Sequence, residues 1–515
     1  MKRNCFLLSL LFVGFAVAAA DIKVTDYGAA GDGITLNTVT IQQSIDACNA
    51  KGGGRVIFPA GHYVSGTILL KNNVTLLLEK GAWIVGSTDI NDYTNPDPFK
   101  DGLGVDVGWA LVAAVDVKNI GITGQGGIDG QGSKLKERQI LTDTRPESQR
   151  WGRRPFLLRI VRCDEVLIKG VSLNYSAAWT THYFQSRNLQ LEDLKIRSTG
   201  VAHNDGIDID GCQEVRIRNC DIVSGDDALC FKTTSSKMKC NNITVSDIKL
   251  KSNQAGIKMG TESMAGFENI SIANCYIYDT KNGGIKLLSV DGAQIRNVTI
   301  SDIKMDNIRT PILLRLGARL SVFRKGQDIQ QKTGLFEKLV LKNINAVSAD
   351  TTQLKAATGI LITGIPGHKL SGVTLENIRI ELPGGGTADE AVAEVPEAID
   401  KYPEVKTFGP VIPAYGLWAR HAGNINIKNL SFLLRNSDAR PAVWMQDVSG
   451  LRMEAGGFPA TKNAASVFEI KTSGAVVIER SKVGAGAEVF IRTDAQSKRN
   501  ISLKENQLPS GMKKI

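Results

Sequence analysis

Aromatic residues are scarce in this 515-residue chain, at 6% of the total, and proline occupies only 15 positions. There is no arginine-rich arm and no stretch in which basic and aromatic residues interleave, so no nucleic-acid partner is expected. No Cys-x-x-Cys pair exists, which argues against a zinc site. Beyond Cys5 seven cysteines remain, with Cys212, Cys220, Cys230 and Cys240 spaced eight, ten and ten apart. An odd number argues against a full disulfide framework; small thiols stacked in a core are expected, with one bridge left open. After residue 20 no apolar run is long enough to span a bilayer. Helical periodicity is almost missing too, and Thr38 to Ala50 is the one convincing amphipathic stretch, with Ile41, Ile45 and Cys48 on one face.

What is present begins with a targeting signal. Lys2 and Arg3 precede an apolar stretch from Phe6 to Val17, and Val17-Ala18-Ala19-Ala20 offers small residues for cleavage. Export to the periplasm or the extracellular space is expected. The net charge is +10, two units of it in the leader, and it is spread thinly enough to suit either a solvated surface or a polyanionic partner. Glycine is abundant, at 52 positions, alongside many Ile, Val, Asn and Asp residues. That mixture suits short strands joined by tight turns.

A phrase recurs: a polar residue, an alternating strand, then Asn or Asp and another apolar residue. It reads NLQLEDL at 188–194, EVRIRNC at 214–220, NITVSDI at 242–248, NISIANC at 269–275 and NVTISDI at 297–303, with weaker copies at 338–344, 372–378, 424–430 and 500–508. From Val215 the strand position advances to Ile243, Ile270 and Val298, in steps of 28, 27 and 28. One such unit cannot bury its apolar face alone, whereas stacked units share a core. The consensus is not leucine-dominated and not helical, which leaves an all-β, single-stranded, right-handed parallel β-helix with an N-terminal capping helix. The expected division is a leader at 1–20, the cap and first coils at 21–100, and the β-helix body at 101–515. Insertions near 317–336 and 384–415 break the repeat, and long loops on a solenoid line or roof its binding face.

Two acidic clusters lie 21 residues apart in this repeat, NDGID at 204–208 and GDD at 225–227. Stacking one coil on the next, about 4.8 Å away, brings Asp205 beside Asp226 and Asp227. Carboxyl groups that close push each other's pKa values apart, which separates a proton donor from a proton acceptor. Turn formation accounts for Asp208 and Asp210, and a calcium site is the other alternative. A second pattern starts beside them: the phrases GIDID, CFKT, GIKMG, GIKLL and LLRLG put Asp208, Lys232, Lys258, Lys286 and Arg315 into one column. Lysines one coil apart repel by about 1 kcal/mol or more unless they splay into water or hold an anion.

The segment resembles the active-site region of glycoside hydrolase family 28, the polygalacturonases and rhamnogalacturonan hydrolases. Asp205 in HNDGID matches the family's NTD aspartate, and Asp226 and Asp227 in SGDDALCFKT match its GDD pair. Stretches at 26–46, 124–132, 154–173 and 176–183 extend the likeness over most of the chain. It departs at two motifs. Gln254-Ala255-Gly256 stands for the family's Gly-His-Gly, and Gly284-Ile285-Lys286 for its Arg-Ile-Lys, so a histidine and an arginine are absent.

The resemblance implies inverting hydrolysis of α-linked galacturonic acid in pectin, rhamnogalacturonan or oligogalacturonide, by a monomer acting on acidic plant cell-wall polysaccharide. It implies neither cofactor nor metal. Asp226 takes the general acid's place, and Asp205 with Asp227 that of the pair orienting water. Lys286, with Lys232, is expected on a uronate carboxylate, and Lys258 and Glu262 one turn beyond the pair as replacement contacts. His182 and His203 are further substrate-binding candidates, and Trp179 is a candidate sugar platform or an apolar filler. The two insertions, closing one end of a groove, favour exo-attack. A calcium-dependent β-helix lyase and a non-catalytic carbohydrate-binding solenoid remain alternatives.

Overall fold

The recurring phrase folds as written. In the computed structural model, which describes residues 20–326, 328–459 and 461–515, Val215 pairs with Ile243, Ile243 with Ile270 and Ile270 with Val298. The ladder runs on through Leu339, Val373, Ile425 and Leu451. Among the described residues thirty-seven strands join in this way, in parallel, into one coiled sheet. The Asn or Asp inside each phrase turns the corner between two faces. Asn219, Asp247, Asn274, Asp302, Asn343, Asn377 and Asn429 all have φ between 53° and 60°, a left-handed conformation that Asn and Asp tolerate better than other side-chain-bearing residues. Their side chains also link coil to coil: Asn219 Nδ2 donates to Asp193 Oδ1 at 2.6 Å, and Asn377 and Asn429 each donate to the asparagine below at 3.0 Å.

The face that carries the acidic residues has its own ladder. Thr181, Ile207, Leu229, Ile257, Ile285, Ile312, Ile360, Leu417 and Val443 lie in register in successive coils. From Ile207 on they point into one continuous core and are fully buried. Alternate residues therefore point outward, and Asp208, Cys230, Lys258 and Lys286 form the matching outer row.

Here the structure departs from the single column read from the sequence. Lys232 is level with Asp210, not Asp208, and Arg315 is level with Leu288, not Lys286. The coils differ in length, so Ile207 to Leu229 is a shorter step than Leu229 to Ile257. A displacement of two residues keeps all five side chains on the outer face.

Thr38–Ala50 is the capping helix, with Ile41, Ile45 and Cys48 buried as expected. It ends at Gly52-Gly53-Gly54; a Cβ on Gly54 would lie 2.1 Å from the carbonyl oxygen of Ala20. Ala20, the last residue of the expected leader, opens the first strand, and the rest of that leader lies outside the described residues. The insertions sit between the strands Ile312–Leu316 and Leu335–Ser348, and between Leu370–Leu382 and Leu417–Leu434. A further insertion was not legible: the helix Gly132–Thr142 buries Leu135 and Gln139 but exposes Ile140 and Leu141, so it carries little amphipathic signal. The seven cysteines from Cys48 to Cys275 are unpaired and buried. No helix among the described residues is long and apolar enough to cross a membrane.

Candidate active site

The stacking brings the two acidic motifs together. Gly206 N–H donates to the Asp227 carbonyl at 2.8 Å, which sets Asp205 beside Asp227 on neighbouring coils. A carboxyl oxygen of Asp205, one of Asp227 and the Cys230 Sγ lie within 4.8 Å of one another. Gly225 permits the approach, because a Cβ there would stand 2.2 Å from Asn204 Oδ1. Asp226 precedes Asp227 and is the most exposed of the three; its Oδ1 accepts from Asp227 N–H at 3.0 Å.

Four ionisable side chains, Lys258, Lys232, Asp208 and Glu262, are interleaved with these groups. Lys258 Nζ is 2.6 Å from Asp227 Oδ2, and Ala255 N–H donates to Asp227 Oδ1 at 3.0 Å. Lys232 Nζ lies 3.3 Å from Asp205 Oδ2, 3.4 Å from Asp208 Oδ1 and 3.6 Å from Glu262 Oε2. Glu262 in turn accepts from Gly102 N–H at 2.9 Å, so the loop before the Ala110–Val115 strand folds down over the cluster.

This arrangement splits the carboxyl groups. Burial, reinforced by Asp205 and Asp227, holds the Asp226 carboxyl well above the usual range, so it keeps its proton. Burial acts the same way on Asp227, but Lys258 and Lys232 overcome it and hold that carboxyl below the usual range, ionised. Burial raises Asp205, opposed by Lys232. Asp208 is also held well above the usual range, by burial and by the Asp205 charge. Asp208 is thus a strand residue of the cluster, where a turn residue was expected. Asp210 is structural: it accepts from Thr234 N–H at 2.8 Å and Thr234 Oγ1 at 2.6 Å.

The two ammonium groups also bear on the calcium alternative. Calcium takes six to eight oxygen ligands, and here Lys258 and Lys232 already supply the positive charge at Asp227 and Asp205. The donor set is a poor fit for that ion.

The remaining candidates fall in different places. His182 is fully buried; its Nδ1 meets Arg159 and its Nε2 lies 3.1 Å from Asp210 Oδ2. Burial brings its pKa down to about 4, so it is a neutral link in the wall and not the substrate contact expected. His203 stacks on Trp151 at 4.0 Å and is lowered to about 4, first by burial and then by Arg154. Trp179 offers no free face: Phe156 stacks on it at 5.0 Å and Lys232 Nζ stands 4.4 Å from its ring centroid. Lys286, expected to be open to a uronate, is 1% exposed and paired with Glu404 at 2.5 Å. Arg315 holds the 384–415 insertion through the Glu397 and Ala398 carbonyls, both at 2.9 Å.

Comparison with known proteins now decides the family. A model described as glycosyl hydrolases family 28 matches residues 100–399, the span that contains Asp205, Asp226, Asp227 and the lysines stacked beside them. The chain belongs to glycosyl hydrolase family 28. A second model, rhamnogalacturonase A/epimerase, pectate lyase-like, matches residues 22–88. Among the relatives of this family 28 chain is a polygalacturonase of Gossypium barbadense, 27% identical over 421 residues, or 79% of this chain and 96% of the relative. Among solved structures, a family 28 exopolygalacturonase of Yersinia enterocolitica superposes with a TM-score of 0.68 at 20% identity, over 84% of this chain and 78% of that one. A hyperthermoactive exopolygalacturonase from Thermotoga maritima gives 0.59 at 24% identity, over 71% and 88%. These two similarities establish the parallel β-helix. The family 28 protein is accordingly a glycoside hydrolase of the pectin-degrading kind.

Sequence reasoning missed four residues that reach the cluster. Asp101 and Gly102 come from the loop over Glu262, and Tyr402 and Glu404 from the 384–415 insertion, with Tyr402 OH 3.4 Å from Lys258 Nζ. Asp101 is raised to about 7, by burial and by Glu262. The interrupted repeat signalled the 384–415 insertion, and nothing in the repeat marked the loop that carries Asp101 and Gly102.

Proposed function

We propose that this family 28 hydrolase cleaves α-linked galacturonic acid in rhamnogalacturonan or oligogalacturonide, with inversion at the anomeric carbon. The observation that carries the reading is geometric: stacking sets Asp205 beside Asp227, and Lys258 Nζ lies 2.6 Å from Asp227 Oδ2, a pairing that favours the ionised form of Asp227 while burial favours the protonated form of Asp226. Asp226 is the general acid that protonates the leaving oxygen. Asp227, assisted by Asp205, takes a proton from the attacking water. Lys258 keeps Asp227 competent as that acceptor, and Lys232 pairs with Asp205 and Glu262 and so opposes the effect of burial on Asp205.

The chain acts alone, outside the cytoplasm, after loss of the leader at 1–20, and on the end of its polymer. End-attack is supported by the insertions: Arg319 from one and Tyr402 from the other meet over the outer face, with the guanidinium carbon 5.6 Å from the tyrosine ring centroid. Such a wall would stop a chain from running through.

The test is a screen of purified protein on galacturonan, rhamnogalacturonan and defined oligosaccharides, beside Asp226→Asn. The reading requires saturated reducing products from the wild type and a rate about 10²–10⁴-fold lower from the variant, with binding retained. Unsaturated, ultraviolet-absorbing products lost on chelation would replace it with a lyase.

A further inference from the structure

Lys286 is on the outer row next to Lys258, two coils beyond Asp226 and Asp227. Its Nζ lies 2.5 Å from Glu404 Oε2, and Asn282 Nδ2 donates to the same oxygen. Glu404 arrives from 118 residues further along the chain. Packing holds its loop in place: Val405 and Phe408, on its C-terminal side, are buried against Leu288, Leu313, Leu361 and Trp418. Arg315 and Arg420 grip the carbonyls of Val395, Pro396, Glu397 and Ala398.

A uronate carboxylate seeking Lys286 would meet a carboxylate already seated there. Two anions on one ammonium repel, and displacing Glu404 would strand a charge in a largely buried position. Lys258 and Lys232 are likewise paired inside the chain, with Asp227, Asp205, Asp208 and Glu262. The polar group left without a partner at this spot is of another kind. Asn282 Oδ1 is buried and accepts no hydrogen bond, while its Nδ2 also donates to Gln254 Oε1 at 2.7 Å. A carbonyl oxygen that lacks a donor suits a hydroxyl and repels a carboxylate.

We propose that Glu404 determines specificity. It fills the anion seat on Lys286 with the protein's own carboxylate, so that the sugar position over Asn282 and Lys286 takes a neutral sugar rather than a uronate. The inference rests on the hydrolase reading above and narrows its substrate to a polymer in which neutral sugars adjoin galacturonate.

The experiment compares kcat/KM on two oligosaccharides of equal length, one of galacturonate alone and one in which a neutral sugar alternates with galacturonate, for the wild type and Glu404→Gln. The wild type should prefer the alternating substrate. Glu404→Gln should move the ratio toward the all-uronate substrate by 10-fold or more, mostly through KM. Asn282→Ala, with an unchanged melting temperature, should lose about 10-fold on the alternating substrate alone. An unmoved ratio in Glu404→Gln, equal losses on both substrates in Asn282→Ala, or a wild-type preference for all-uronate would overturn the proposal. If the wild type cleaves neither oligosaccharide, the hydrolase reading falls. Calorimetric binding of the same two ligands to wild type and Glu404→Gln then decides the Glu404 question by the same ratio.

Discussion

Lys258 Nζ is 2.6 Å from Asp227 Oδ2, and the same coil supplies the Ala255 N–H that donates to Asp227 Oδ1 at 3.0 Å. Asp227 therefore draws its charge stabilisation from a lysine on the neighbouring coil. Replacing Lys258 by Met leaves a buried carboxyl without its main counter-charge, so the Asp227 pKa rises. The acid limb of the pH profile of kcat/KM should move to higher pH, with a fall of about 100-fold at its optimum. Lys258→Arg should restore part of both. A pH–rate series on the three proteins measures this.

Asp226→Asn removes the proton that the leaving oxygen needs. The expected loss in kcat is about 10²–10⁴-fold, with substrate affinity retained. The sign of the wild-type alkaline limb follows from the same group: Asp226 must be protonated, so activity falls as pH rises through its raised pKa. Asp227 must be ionised, so activity falls as pH drops through its lowered one. The variant should lose the alkaline limb from whatever rate remains.

Asp101 is expected to set part of the stability profile. Its folded pKa is raised to about 7, so the folded state binds more protons than the unfolded state between about pH 4 and 7. That contribution is complete below the unfolded pKa and is lost as pH rises through the folded one. Asp101→Asn should flatten the decline in unfolding free energy over this window by about 1–4 kcal/mol. Denaturant titrations at pH 4.5 and 7.5 give the comparison.

Arg315 ties the 384–415 insertion to the coil stack through two loop carbonyls, Thr363 Oγ1 and the Gly364 carbonyl. Arg315→Met should cost roughly 2–4 kcal/mol and expose the loop to limited proteolysis before the stack itself unfolds. Cleavage confined to 384–415, mapped by mass spectrometry, is the expected pattern.

The solenoid was legible because one strand position recurs with almost constant spacing from Val215 to Val298, and the corners demand Asn or Asp at positive φ. The acidic cluster was legible because Asp205 and Asp227 lie in consecutive coils. Spacing misled where coil length changes: Lys232 and Arg315 sit two residues off the column that counting suggests. Asp208 reads as a turn residue by type, yet it lies inside the strand Ile207–Asp210. The groups that roof the site, Gly102, Tyr402 and Glu404, approach across 118 to 160 residues. No periodicity encodes such contacts, so the pairing of Lys286 and the enclosure of the lysine row were invisible until the loops were placed.

The central claim is that Asp226 and Asp227 work as acid and base on one glycosidic bond with water as the nucleophile. Proton NMR of the wild type during the first minutes of cleavage of an α-linked galacturonate substrate tests it most directly. The account predicts that the new reducing end appears first as the β-anomer and only later equilibrates. A first-formed α-anomer, or an unsaturated sugar, would contradict it.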